Sequence, residues 1–115
     1  MAENLPRSIT TSMQFENGPA IGISNRWVNG QYCSILTPIG IVGCGIYDVV
    51  VPAEFNQALA VAQGTPESPL VDPEDLLDAR IVRCTPRAES LGIHAGMSGR
   101  DAVELMLQAS GEVSD

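Results

Sequence analysis

Residues 8–15 alternate strictly, with Ile9, Thr11, Met13 and Phe15 on one side and Ser8, Thr10, Ser12 and Gln14 on the other. A period of two is the signature of a half-buried strand. Asn17-Gly18 follows, and Asn29-Gly30 recurs after a second run from Ala20 to Val28. This dipeptide favours type I′ hairpin turns, whose two central residues both take positive φ, so two hairpins are expected. Tyr32 to Thr37 reads as a third strand, Thr37-Pro38-Ile39-Gly40 as a turn, and Ile39 to Tyr47 as a fourth strand. The first half of the chain is therefore expected to be an antiparallel meander of about four strands.

The fourth run, IGIVGCGIY, has no polar face. A strand apolar on both sides needs cover on both sides, and a short chain has few helices to supply it. Part of that cover is expected from another subunit. From Pro52 the period changes: Phe55, Leu59 and Ala62 fall on one helical face, Pro52 suits the first turn and Gly64 the stop, which predicts a helix of about three turns. Gly64 to Pro69 is a loop rich in small polar residues and proline. Asp72-Pro73-Glu74-Asp75 opens a short helix ending near Asp78, with a capping carboxylate, proline at the first helical position and acids at the positive end of the dipole. Ala79 to Cys84 is a further strand, and Thr85-Pro86 caps another short helix that Gly92 can end. The last helix, Gly99 to Ala109, confines Asp101, Glu104 and Gln108 to a narrow polar stripe. Its apolar arc is wider than one partner element requires.

The fold class that follows is α+β: an N-terminal antiparallel meander, then short helices with one further strand, then a C-terminal amphipathic helix. At 115 residues this is a single domain, 1–115, with frayed ends expected at 1–6 and 110–115. No apolar run reaches the length of a membrane span, and residues 1–6 lack the basic start and apolar run of a secretory signal. A cytoplasmic location is expected.

Charge narrows the chemistry. The formal net charge is −8 and lysine is absent, so the basic residues are Arg7, Arg26, Arg80, Arg83, Arg87 and Arg100. An acidic chain is poorly suited to nucleic acid or an anionic membrane, where neutralising phosphate supplies most of the affinity. Without lysine there is no Schiff base and no P-loop. Cys33, Cys44 and Cys84 make an odd set without a C-x-x-C pair, which fits a reducing compartment and not a disulfide framework. With one histidine, no zinc site of ordinary spacing can be written, and no metal or cofactor is expected.

Two constellations remain. Cys44, between two glycines, is either a nucleophile with His94 as base and Asp48 as orienting acid, or a small core residue whose glycine neighbours allow close packing. His94 is alternatively a lone hydrogen-bonding surface residue, and Asp48 a turn or capping acid. In GMSGRDA, the residues Gly96, Ser98, Gly99 and Arg100 at a helix start can cradle a carboxylate or phosphate. The same residues also describe a cap, because Ser98 followed three residues later by Asp101 nearly completes a capping box, with Met97 placed as a hydrophobic staple. Asp101 already supplies negative charge in the first turn, which favours the cap. Arg80 and Arg83, three apart, are expected on opposite faces of their strand and form no shared clamp.

Cys44-Gly45 with Asp48 closing a glycine-rich strand, the Asp75-Leu76-Leu77 segment, and Leu91-Gly92-Ile93 followed by Ala95-Gly96-Met97-Ser98-Gly99 resemble the YunC-like family of bacterial and archaeal domains of unknown function, DUF1805. The likeness runs from the first strand to the last helix, and the final run is its most specific part. It implies a small α+β domain whose N-terminal sheet serves tetramerisation, and it implies no activity. The proline-rich stretch Thr65 to Val71 and the absence of lysine depart from that pattern. The expected function is a homo-oligomeric domain that binds a small molecule or a partner. The alternative is a cysteine-nucleophile enzyme of acyl transfer or hydrolysis, using Cys44 with His94.

Overall fold

The computed structural model describes residues 5–111. Six strands form a single sheet in chain order, β1 (Arg7–Phe15), β2 (Gly18–Trp27), β3 (Gly30–Leu36), β4 (Gly40–Gly43), β5 (Ala58–Gln63) and β6 (Arg80–Cys84). All neighbours are antiparallel except β4 and β5, which are parallel and joined by a crossover containing α1 (Val50–Glu54). A 3-10 helix (Pro73–Leu77), α2 (Pro86–Ser90) and α3 (Gly99–Ser110) complete the α+β fold. Of the ends expected to fray, only residues 5–6 and 110–111 are described, and Ser110 still belongs to α3.

The meander is as expected, but the sheet has six strands and not about five. The added strand is β5, whose residues were expected to continue a helix from Pro52. That helix stops after one turn, where Asn56 takes φ 54°. The run Ala58-Leu59-Ala60-Val61-Ala62 is buried throughout, as a central parallel strand must be, and an unbroken apolar run reads equally well at either period. Gly64 therefore follows a strand. The fourth strand is shorter than the run from Ile39 to Tyr47, because the chain turns at Cys44, whose carbonyl accepts from the Tyr47 amide at 3.1 Å.

Both Asn-Gly hairpins form, one residue out of the expected register. Phe15 pairs with Gly18 and Trp27 with Gly30, so the two-residue turns are Glu16-Asn17 and Val28-Asn29. Neither is type I′, since positive φ falls only on Gly18 in the first (136°) and on Asn29 in the second (70°).

Register divides the sheet into two faces. On the inner face Met13, Ala20, Cys33, Ile35, Val42, Ala60, Ala62 and Ile81 pack with Leu76 of the 3-10 helix and with Ala102, Val103 and Met106 of α3. From β1, Met13 lies in this core and Phe15 packs against it, half-buried. β1 is the edge strand, and Ile9 on the same face is 41% exposed.

Polar contacts fix the helices against the sheet. The Thr85 hydroxyl, fully buried, donates to Gln57 O at 2.6 Å and accepts from the Leu59 amide at 3.1 Å and the Ala88 amide at 3.3 Å. It thereby caps α2 and anchors the start of β5 together. Asp72 is the N-cap residue of the 3-10 helix, as expected, and its carboxylate also pairs with Arg26 on β2. Asp75 completes the capping box, accepting from the amides of Val71 and Asp72 at 3.1 and 3.0 Å. Glu104, on the polar stripe of α3, reaches the first hairpin. Its carboxylate accepts from the Glu16 amide at 3.1 Å, the Asn17 amide at 3.0 Å and the Asn17 side chain at 2.9 Å.

Two predictions follow from these attachments. A β-carbon at Gly99 would overlap the backbone carbonyl of Leu76, which has no flexible end to move aside. Gly99→Ala is expected to lower stability by roughly 1–3 kcal/mol in urea denaturation. Burial raises the Glu104 carboxyl, but the three Asn17 and Glu16 donors outweigh it and hold the group below its ordinary value. A depressed carboxyl stabilises the fold fully above its unfolded-state value, and that stabilisation is lost as pH falls through the lowered one. Glu104→Gln is accordingly expected to cost about 1–2 kcal/mol at neutral pH. The difference from the parent should shrink as the urea titrations are moved to acid.

Candidate functional site

The β3–β4 hairpin sets Cys33 against Cys44. Ser34 pairs with Gly43, and the ladder continues one step further through a Cys44 amide to Cys33 carbonyl bond of 3.1 Å. Both side chains therefore lie on the inner face, and both are buried. Cys44 ends the strand, and Gly45 beside it is exposed, with open space where a β-carbon would stand. The turn that follows is held from β6, where the Arg83 guanidinium donates to Gly45 O at 3.2 Å and Tyr47 O at 3.4 Å. The Tyr47 ring covers Gly43 on the outer face and meets Tyr32 edge to face at 6.0 Å.

This arrangement separates the two thiols chemically. The Cys33 thiol supports a thiolate on Cys44 and, with the Ile46 amide and despite burial, brings Cys44 down to about 6. Cys33 is pushed up by its bond to Cys44, by burial, by the Cys44 charge and by Asp75 and Asp72 above it. The pair titrates as a unit, with Cys44 the group held down and Cys33 the group pushed up. Cys84, on β6, contacts Ile93 O at 3.7 Å, and burial and Glu89 push it up.

Among the described residues no hydrogen bond joins Cys44, Asp48 and His94. Asp48 is exposed and accepts from the Val51 amide at 3.2 Å, and the Val50 and Val51 amides hold its carboxyl down, which is the role of a capping acid for α1. His94 is exposed in the loop after α2, and its ring contacts Ala95 O at 3.0 Å. That loop pairs with β6 through Gly96 and Met97, whereas Cys44 follows the end of β4 and is bonded to β3, with β5 between.

The residues of the GMSGRDA segment are occupied by the chain itself. The Gly96 amide donates to Ile81 O at 2.8 Å and the Gly99 amide to Ala79 O at 2.9 Å. Ser98 Oγ accepts from the Asp101 amide at 3.1 Å, which is the first half of the capping box. Gly92 and Gly96 take φ 97° and 99°, the chain reversals that glycine permits, and Met97 packs on the core. The Arg100 guanidinium lies 6.0 Å over the Phe15 ring, and Arg80 donates to Gly96 O at 2.9 Å. Arg80 and Arg83 fall opposite Gln63 and Val61, on the same side of the sheet. The expected opposition of faces is removed by an irregularity at Val61/Ala62, although the two guanidiniums still serve different loops.

A cleft of about 610 Å3 opens beyond the end of β5, lined by Thr65, Ser68, Glu74, Asp78 and Arg80 among others. Its position depends on the spatial meeting of the 64–71 loop with the 3-10 helix, which no local motif announces. The Cys33 partnership is likewise marked by no acid-base motif. The turn at Thr37–Gly40 carries its signal, because counting outward from that turn sets Cys33 opposite Cys44.

The likeness to known proteins covers this architecture and supplies no reaction. A relative 28% identical over 98 residues, spanning 85% of this chain and 96% of its own, is the uncharacterized protein YunC of Bacillus subtilis. The crystal structure of TA1206, a protein of unknown function from Thermoplasma acidophilum, superposes with a TM-score of 0.76 at 16% identity, covering 88% of this chain and 94% of that one. Residues 43–106, more than half of the chain, match the model for the domain of unknown function DUF1805, and the chain belongs to that family.

Proposed function

We propose that this chain is a self-associating module in which the outer face of β1–β3 packs against a second copy, on the way to a tetramer. One observation carries the reading. The outer positions of β1, β2 and β3, from Ser8 to Gln14, Pro19 to Trp27 and Gly30 to Leu36, include no charged residue, although the chain carries a net charge of −8. Two copies of so acidic a protein repel one another over most of their surface, and an uncharged face is where they can meet. The face is also apolar: Ile21 and Leu36 are 43% and 38% exposed and, with Pro19 and Pro38, line a groove of about 380 Å3. The other half of the outer face needs no partner, because Leu59 and Val61 there are already buried.

The strand β1 offers a second contact of the kind a tetramer requires. Its free edge, Ser8 to Gln14, holds no proline and no charge, the usual devices against pairing with another chain. A small polar ligand would be taken in the cleft beside the 3-10 helix. Three free thiols suit a reducing compartment, and the reading places the module in the cytoplasm.

Light scattering on a size-exclusion column tests the assembly. The parent chain is expected to elute as a multimer at micromolar concentration, and a monomer there would overturn the reading. Ile21→Asp and Leu36→Asp should each shift the species toward monomer with unchanged circular dichroism, since both side chains are exposed in the single chain. Ile9→Asp, on the inner side of the edge strand, should leave the assembly intact.

A further inference from the structure

We propose that Cys33 and Cys44 form a dithiol site that reduces a small hydroperoxide, with Cys44 taking the oxygen and Cys33 closing a cross-strand disulfide. Directly opposed residues of an antiparallel ladder have α-carbons roughly 4.5–5.5 Å apart, inside the span a disulfide bridges. The bond from the Cys44 amide to Cys33 O shows that the pair is directly opposed, and the shared inner face points both sulfurs the same way.

The two cysteines differ in the ways the two steps require. Cys44 stands at the end of its strand, 6% exposed, with the bare and exposed Gly45 next to it as the approach for a small molecule. Cys33 is fully buried in the middle of β3, beside Cys44 and away from solvent. The ionisable groups around the pair are Asp72 and Asp75 from the 3-10 helix and Tyr47 from the following turn. The bond to Cys44 and burial, with a smaller push from these acids, oppose ionisation of Cys33, so the thiolate of the pair resides on Cys44, and the thiolate is the nucleophile.

In the first step the Cys44 sulfur attacks the terminal oxygen of ROOH. The S–O bond forms, the O–O bond breaks, and the departing alkoxide takes a proton to leave as ROH. In the second step the Cys33 sulfur attacks Cys44 Sγ, the S–S bond forms and the S–O bond breaks. Hydroxide leaves with the Cys33 proton as water. Two thiols are oxidised and one hydroperoxide is reduced to an alcohol and water, and an external dithiol restores the pair by exchange.

The test treats the reduced full chain with one equivalent of hydrogen peroxide, then counts thiols after denaturation and maps peptides without reductant. The three titratable thiols of the parent are expected to fall to one, with Cys33 linked to Cys44 within one chain, and dithiothreitol should restore all three. Cys33→Ser should stop at a Cys44 sulfenic acid trapped by dimedone, while Cys84→Ser should react as the parent does. The proposal is overturned if the parent keeps three thiols, if the disulfide includes Cys84 or joins two chains, or if Cys84→Ser abolishes the reaction. The measurements on the parent and on Cys84→Ser decide the matter even where Cys33→Ser fails to fold.

Discussion

The middle of this sheet is built from glycine and alanine, and the close approach that they permit from both sides is the constraint on which the remaining structure depends. On the inner side a β-carbon at Gly40 would stand 2.6 Å from Ala58 O and 3.1 Å from Met106 Sδ, so the bare position is what lets α3 lie against β4 and β5. On the outer side the Tyr47 ring rests on Gly43, and the turn from Cys44 to Asp48 follows the ring down onto the sheet. Arg83 secures that turn from the opposite strand. The doubly apolar fourth strand, which on its own seemed to demand a second subunit on one side, thus obtains much of its cover from its own crossover.

The same constraint explains which elements could be read from the sequence. Strands β1, β2 and β3 alternate or are bounded by Asn-Gly, and the Thr85, Ser98 and Gly92 positions carry unambiguous cap and stop chemistry, so β1 to β3, α2 and α3 were legible to within about two residues. The segment Ala58 to Gln63 was not, because small apolar residues packed on both faces leave no polar phase to distinguish strand from helix. Only the reversal at Asn56, a conformation set by tertiary closure, separates α1 from β5. The legible part of the candidate site was Cys44 alone. A cysteine's partner depends on register, and acid-base reasoning looked to His94, which the fold places along β6.

GMSGRDA illustrates the opposite case, a motif with more apparent chemistry than it retains. Its glycines and serine suggest an anion cradle, yet the amides of Gly96, Gly99 and Asp101 are bonded to Ile81, Ala79 and Ser98. Those bonds run between the loop and the start of β6, where Ser98 also bridges Arg80. The segment extends the sheet edge and then turns into α3. The absence of a β-carbon at Gly99 lets the first turn of α3 pass against the backbone of Leu76, so the glycine there is a matter of space before it is a matter of chemistry.

The two proposals occupy opposite faces of the sheet, and this separation follows from how charge and sulfur are distributed. Acidic side chains gather on the helical side, at Asp72, Glu74, Asp75 and Asp78 in and beside the 3-10 helix. There Asp75 and Asp72 add a little to the bond from Cys44 and the burial that push Cys33 up, and the acids together keep that side of the molecule unsuited to contact with another copy of itself. The outer face of β1–β3 has neither acid nor sulfur, so association across it would leave the approach to Cys44 past Gly45 unobstructed. An assembly built on that face and a thiol pair beneath the other can therefore operate in one molecule without competing for surface.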